Sequence, residues 1–258
     1  MIAVCYTWWQ MRLADLLVDE GRRLFKLRSL IPLALLPVVF LAVPQSAAAE
    51  QWLGPRANVL VQWAAIGIGL AGLLMRCWVV GYAPDGTSAR DTRGMRANLL
   101  NSTGVYSIVR HPLYLANGLL WLGAVLSARV WWSPVIAGLA YWIYIERVML
   151  GEEAFLDQSF GESFRTWAAV TPAILPAPSR WRPMVGARWQ WKRMSSEHNA
   201  LLALAASVLL FDYLAHWWAG TAAFAPFYAQ HPDLVWFFGL AATLSVIAII
   251  ARRLPSNR

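Results

Sequence analysis

The chain has 258 residues, of which 59% are hydrophobic, 14% are charged and sixteen are Trp. An ordinary soluble domain carries roughly a quarter charged residues, so this composition excludes that class and points to a bilayer as the solvent. The net charge of +8 is distributed as a topology pattern rather than gathered for a nucleic acid, and no nucleic-acid partner is expected.

In chain order, residues 11–28 come first. Leu13, Leu16, Leu17, Leu24 and Leu27 share one helical face, interrupted by Arg22, Arg23 and Lys26. This spacing predicts an amphipathic helix lying on the cytoplasmic membrane surface. The first residues lack a basic region followed by a long apolar one, so no signal peptide is expected.

A spanning helix needs about 20 apolar residues. Stretches near 30–48, 58–80, 112–128, 131–150, 199–218 and 234–251 meet that need, which predicts an all-α, polytopic membrane protein of about six helices. Pro32, Pro37 and Pro44 make the first of them irregular. Trp52, Trp78, Trp131, Trp132, Trp217 and Trp218 crowd the ends, where amphipathic rings favour headgroup depth.

With six spans, all but Arg56 and Arg129 of the 22 Lys and Arg residues fall on one side. The positive-inside rule puts both termini and both long polar connections in the cytoplasm. It also favours an even number of spans and suits a bacterial inner membrane. Cys5 and Cys77 then lie on the cytoplasmic side, suggesting neither a disulfide nor a metal site.

Two apparent motifs inside the spans have plainer readings. Gly67-Ile68-Gly69-Leu70-Ala71-Gly72 spells G-x-G-x-x-G without a preceding strand, so helix packing is favoured over dinucleotide binding. Asp212 and His216, four apart, read as a structural pair near the periplasmic headgroups, although ionisable groups in a span always raise a functional question.

The polar chemistry gathers in two connections flanking the third and fourth spans, which can therefore converge. The first, following the polar stretch 83–104, contains Gly104, Tyr106, Arg110, His111, Pro112 and Tyr114; the second contains Glu146, Arg147, Gly151, Glu152, Glu153, Phe160 and Gly161, then Phe164, Trp167, Pro172 and Pro176. In isolation, Arg110-His111 ahead of Pro112 also suits a snorkelling pair at a helix start. Glu152 and Glu153, being neighbours, are expected to point apart, with Glu153 inward and one of the two solvated. Glu146 and Arg147 suit a structural ion pair as well as a catalytic one.

Taken together, these motifs over residues 58–176 resemble the membrane family of isoprenylcysteine carboxyl methyltransferases and phospholipid methyltransferases. Its pattern is Gly-x-Tyr-x-x-x-Arg-His-Pro-x-Tyr followed by Glu-Glu and Phe-Gly-x-x-Tyr. Phe164 stands at the last tyrosine position. The resemblance implies a S-adenosylmethionine-dependent enzyme with a membrane lipid as acceptor. It implies Arg110, His111 and Glu153 as catalytic, and Tyr106, His111, Pro112, Tyr114, Glu152 and Glu153 around the cofactor. Arg110, Arg147 and Trp167 are expected toward the acceptor. The wording of these segments is most similar to a bacterial branch that includes lipid A phosphate methyltransferases, and the basic stretch 180–193 suits an anionic headgroup. A carboxylate or phosphate acceptor is already anionic, whereas an amine must first lose a proton. Prenylcysteine and phosphatidylethanolamine remain as alternative acceptors, and a non-catalytic lipid-binding or transport protein as another class.

The implied organisation is a surface segment 1–29, a core 30–176, and a basic linker with two further spans in 177–258. The last two spans are expected to wall the lipid groove.

Overall fold

The computed structural model describes residues 12–27, 34–82, 99–184, 188–220, 229 and 231–253. Pro32, Cys5, most of the polar stretch before residue 99 and part of the basic linker lie outside them. Among the described residues the fold is helical without strands: α1 (Leu13–Lys26), α2 (Leu36–Tyr82), α3 (Pro112–Leu126), α4 (Trp132–Phe160), α5 (Glu162–Val170), α6 (Trp191–Met194), α7 (His198–Trp218) and α8 (Pro232–Arg253).

Among the described residues three segments are long and apolar enough to cross a membrane: α2, the combined stretch Trp191–Trp218, and α8. Helix α3 is apolar but shorter. The count of six is therefore matched only in part. Helix α2 covers two of the expected spans and is interrupted at Gly54 (φ 74°, ψ 166°). Pro55 follows; a residue before proline is disfavoured in the helical region, and glycine accepts the positive φ without penalty. Trp52, Trp78, Trp131, Trp217 and Trp218 are exposed, as lipid-facing anchors should be.

The chain divides into two units, Met1–Ala34 with Pro84–His111 and Ala140–Met184, and Leu35–Ala83 with Pro112–Leu139 and Val185–Arg258. The second holds the apolar helices. Ile66, Leu73, Leu120, Leu204, Val208 and Leu234 form its core, drawn from α2, α3, α7 and α8. Small residues let these helices approach: a Cβ on Gly69 would lie 2.7 Å from Leu204, and one on Gly72 would lie 2.5 Å from the Ala116 carbonyl. The G-x-G-x-x-G spelling is thus a packing face at two of its glycines; Gly67 faces open space.

A separate ionic cluster lies in the same unit. Arg129 hydrogen-bonds Asp212 and Gln62, and its guanidinium stands 3.8 Å from Glu50. His216 turns its Nδ1 to the Asp212 carbonyl rather than to the carboxylate. The expected Asp212–His216 pair is therefore part of a larger assembly.

In the first unit, α1 crosses α4 backbone against backbone. A Cβ on Gly21 would lie 1.8 Å from the Arg147 carbonyl oxygen, and one on Gly151 would lie 2.9 Å from the Arg22 nitrogen. Phe25 is buried. The amphipathic helix expected on the membrane surface is thus docked on protein along at least one face.

Candidate active site

The Gly104–His111 segment is held by its own backbone and by the chain that follows α5. Gly104 has φ 60°, and a Cβ there would meet Met184 at 2.5 Å, so only glycine fits. Its N–H donates to the Arg182 carbonyl at 2.8 Å. The Ser107 hydroxyl donates to the Gly104 carbonyl at 2.7 Å and accepts from the Arg182 N–H at 2.9 Å. Arg110 and His111 donate their backbone N–H groups to the Pro172 and Ala173 carbonyls, and Ala177 donates to Ile108. The Trp167 indole N–H reaches the Tyr106 carbonyl at 3.0 Å. The two motif segments are thus laced together although some sixty residues separate them in sequence.

This lacing presents Arg110 and His111 to α4. The Arg110 Nε donates to Glu153 Oε1 at 2.8 Å, and its Nη1 donates to the Ala168 and Thr171 carbonyls, both at 2.7 Å. These carbonyls lie at the C-terminal end of α5, where the helix dipole favours a cation. His111 is buried, with Nε2 2.9 Å from Glu153 Oε1 and Nδ1 3.6 Å from Glu152 Oε2. Glu152 and Glu153 are therefore both turned to the imidazole. The expectation that one would be solvated is corrected: neighbours on a helix differ by about 100°, and two glutamates are long enough to embrace a ring placed between them.

Burial alone would oppose a charge on His111, but hydrogen bonds and charge from Glu152 and Glu153 outweigh it and raise its pKa. Burial likewise opposes ionisation of Glu153, yet His111 and Arg110 hold its carboxyl below the ordinary range. The Tyr106 phenol is pushed up by burial and by the nearby Glu152 charge, so it remains a hydrogen-bond donor at neutral pH.

The other expected site residues fall as follows. Pro112 and Tyr114 open α3 in the other unit, Pro112 buried and Tyr114 half-buried. Arg147 pairs with Glu20 of α1 at 3.0 Å and donates to the Ile143 carbonyl, a structural tie rather than a part of the histidine cluster. Glu146 is exposed. Phe164 is buried with its ring against Trp167, centroids 5.8 Å apart, so the position of the family's tyrosine is filled by a packing contact. A cavity of about 250 Å³ is lined by Ser107, Trp167, Thr171, Arg180 and Arg182 among others. Ser107 and Arg182 escaped the sequence reading, the first hidden in an unspecified motif position and the second in a general basic stretch.

Residues 61–163 match the phospholipid methyltransferase family model. The chain is also 29% identical over 79 residues to the protein-S-isoprenylcysteine O-methyltransferase of Schizosaccharomyces pombe, covering 31% of this chain and 34% of that one. Over those residues the chain is similar to isoprenylcysteine and phospholipid methyltransferases. Two bacterial relatives are more similar. The cobalt-zinc-cadmium resistance protein CzcN of Cupriavidus metallidurans is 32% identical over 133 residues, 51% of this chain and 54% of that protein. The nickel-cobalt-cadmium resistance protein NccN of Alcaligenes xylosoxydans xylosoxydans is 31% identical over 125 residues, 46% and 53% of the respective chains. The chain spans about half the length of these two curated relatives. No solved structure matches it.

Proposed function

We propose that the chain is a S-adenosylmethionine-dependent methyltransferase of a membrane lipid headgroup, with an anionic phosphate such as that of lipid A as acceptor. The observation that carries this reading is the embrace of His111 by Glu152 and Glu153 beside Arg110, built from the two segments that resemble the family motifs. The carboxylates of Glu152 and Glu153 keep further acceptor lone pairs beside His111 and Arg110, which suits the ammonium and hydroxyl donors of the cofactor. The bound cofactor supplies an electrophilic methyl group; the protein's task is to orient it and exclude water. Glu152 and Glu153 would hold the cofactor's amino or hydroxyl groups, and His111 and the Tyr106 hydroxyl would complete its hydrogen bonding. Arg110, with Nε and Nη1 already committed, acts chiefly by fixing Glu153.

The phosphate preference draws on Arg180 and Arg182, which border a mainly apolar cavity walled by Trp167 and Val170 and whose guanidinium forks match phosphate oxygens. Arg147, tied to Glu20, contributes through the docking of α1. A phosphate oxygen is anionic at neutral pH and needs no general base, consistent with a His111 whose ring is occupied by two carboxylates. Methylating a phosphate removes a negative charge that would otherwise attract divalent cations, and this would connect the reaction with the metal-resistance names of the bacterial relatives. Six crossings in a bacterial inner membrane complete the proposal, two of them from α2 broken at Gly54, with termini in the cytoplasm, a surface segment 1–29, a core 30–176 and a lipid-facing wall from 177–258.

The test incubates purified protein with methyl-labelled S-adenosylmethionine and extracted bacterial lipids. The expected product is a labelled lipid heavier by one methylene on a phosphate, with label falling at least about 100-fold in Glu153→Ala, the scale on which positioned groups contribute. Label found only in amines or a carboxyl ester would replace the phosphate. Label in no lipid, from a folded sample, would favour a lipid-binding scaffold.

A further inference from the structure

The ionic cluster around Asp212 is not used by the reaction proposed above. Asp212 is 1% exposed, and its Oδ2 is sealed from solvent without accepting a hydrogen bond. Burying a carboxylate oxygen in this way is costly unless a charge answers it. The Nδ1 of His231 stands 3.2 Å from that oxygen. The His216 Nδ1 must be the protonated nitrogen, because its partner, the Asp212 carbonyl at 2.9 Å, can only accept. That leaves Nε2, 3.6 Å from Glu50 Oε2, as the nitrogen able to reach a ligand. A histidine whose second nitrogen is fixed by a backbone carbonyl is the usual arrangement of a metal ligand.

We infer that Asp212, His216 and His231 form a binding site for one divalent transition-metal cation of the zinc or cobalt type, with Glu50 as the fourth ligand. Ligand atoms from Asp212, His216 and His231 lie within 4.8 Å of one another. Around Zn²⁺ at about 2.0–2.1 Å, tetrahedral ligands stand roughly 3.3 Å apart. His231 and Asp212 already have that spacing. Two imidazoles with carboxylates suit zinc and cobalt better than calcium or magnesium, which take oxygen ligands.

Charge supports the same reading. Glu50 and Asp212 share one guanidinium, that of Arg129, so the two carboxylates outnumber the permanent cation in the cluster. A divalent cation answers it. Glu50 is oriented for this by Asn58, which donates to its Oε1 at 2.6 Å. Arg129 is also the one non-glycine residue with positive φ (60°) among those described. Such strain persists where the surroundings over-determine it, often at ligand sites.

The experiment uses the full chain in detergent, purified without a polyhistidine tag. Titration with Co²⁺ should give one ion per chain with the visible absorption of four-coordinate cobalt, displaced by Zn²⁺. His216→Ala and His231→Ala should each weaken binding at least tenfold, since even outer-shell changes cost about that, whereas His198→Ala should leave it unchanged. Zn²⁺ should raise the unfolding temperature of the wild type and not of His231→Ala. No stoichiometric Co²⁺ signal from the wild type, or equal binding by a variant carrying both His216→Ala and His231→Ala, would overturn the site and leave an ion-pair network. Neither readout depends on methyl transfer.

Discussion

The clusters around His111 and around Asp212 use the same residue types, an arginine, two carboxylates and one or two histidines, yet they are built on opposite principles. In the first, side-chain exposures of 18–25% at Arg110, Glu152 and Glu153 leave a path to solvent, and backbone bonds hold the motif in place. In the second, the central pair Arg129 and Asp212 is 2% and 0% exposed, with Glu50, His216 and His231 part-exposed around it, and the side chains themselves hold the elements together. The comparison teaches that an open cluster can be altered with loss of chemistry more than of fold, whereas a sealed one cannot.

The largest effect should come from the sealed cluster. Arg129→Ala leaves Asp212 uncompensated and should destabilise the protein by about 3–5 kcal/mol, as read by denaturant unfolding in detergent. Replacing Arg129 and Asp212 together by leucine should cost clearly less, because the fully buried charge leaves with its partner and only the part-exposed Glu50 loses a neighbour. Equal losses in the single and double variants would erase the distinction. Arg110→Ala should lower stability less than Arg129→Ala while reducing methyl transfer strongly, since Glu153 loses its tether.

Close packing gives the next effect. Gly72→Ala should lose about 1–3 kcal/mol by forcing α2 from α3, and Gly67→Ala, facing open space, should lose none; parallel thermal unfolding would separate them. A smaller effect should follow pH. The raised pKa of His111 makes its stabilisation full below the ordinary value near 6.5 and lost as pH climbs through the folded value. The lowered pKa of Glu153 makes its contribution present above about 4.5 and lost as pH falls through its folded value. The stability gap between wild type and His111→Gln should therefore be wider at about pH 5.5 than at about pH 9. The smallest effect belongs to Arg165, paired with Asp157 on the surface. Arg165→Ala should leave stability unchanged within error, as exposed pairs contribute little.

Much of this was legible before any coordinates. The apolar blocks and the helical class follow from composition, because a bilayer tolerates few alternatives to a helix, whereas the break in α2 falls at Gly54 and not at the prolines expected to bend the first span. The motif spacing singled out Arg110, His111 and Glu153, and the packing use of Gly69 and Gly72 followed from context. What stayed hidden depends on contacts far apart in sequence. Nothing in the local pattern says that Glu152 turns to the same ring as Glu153, that Arg147 reaches α1, or that Ser107 and Arg182 brace Gly104. Nor does it join Glu50, Arg129, Asp212 and His231, which come from four separate segments. Hydropathy and helical period act over a few turns and are written in the chain itself; the partner of a buried charge is chosen by whichever oxygen or nitrogen the packed helices bring within about 3 Å, and only the tertiary structure decides that.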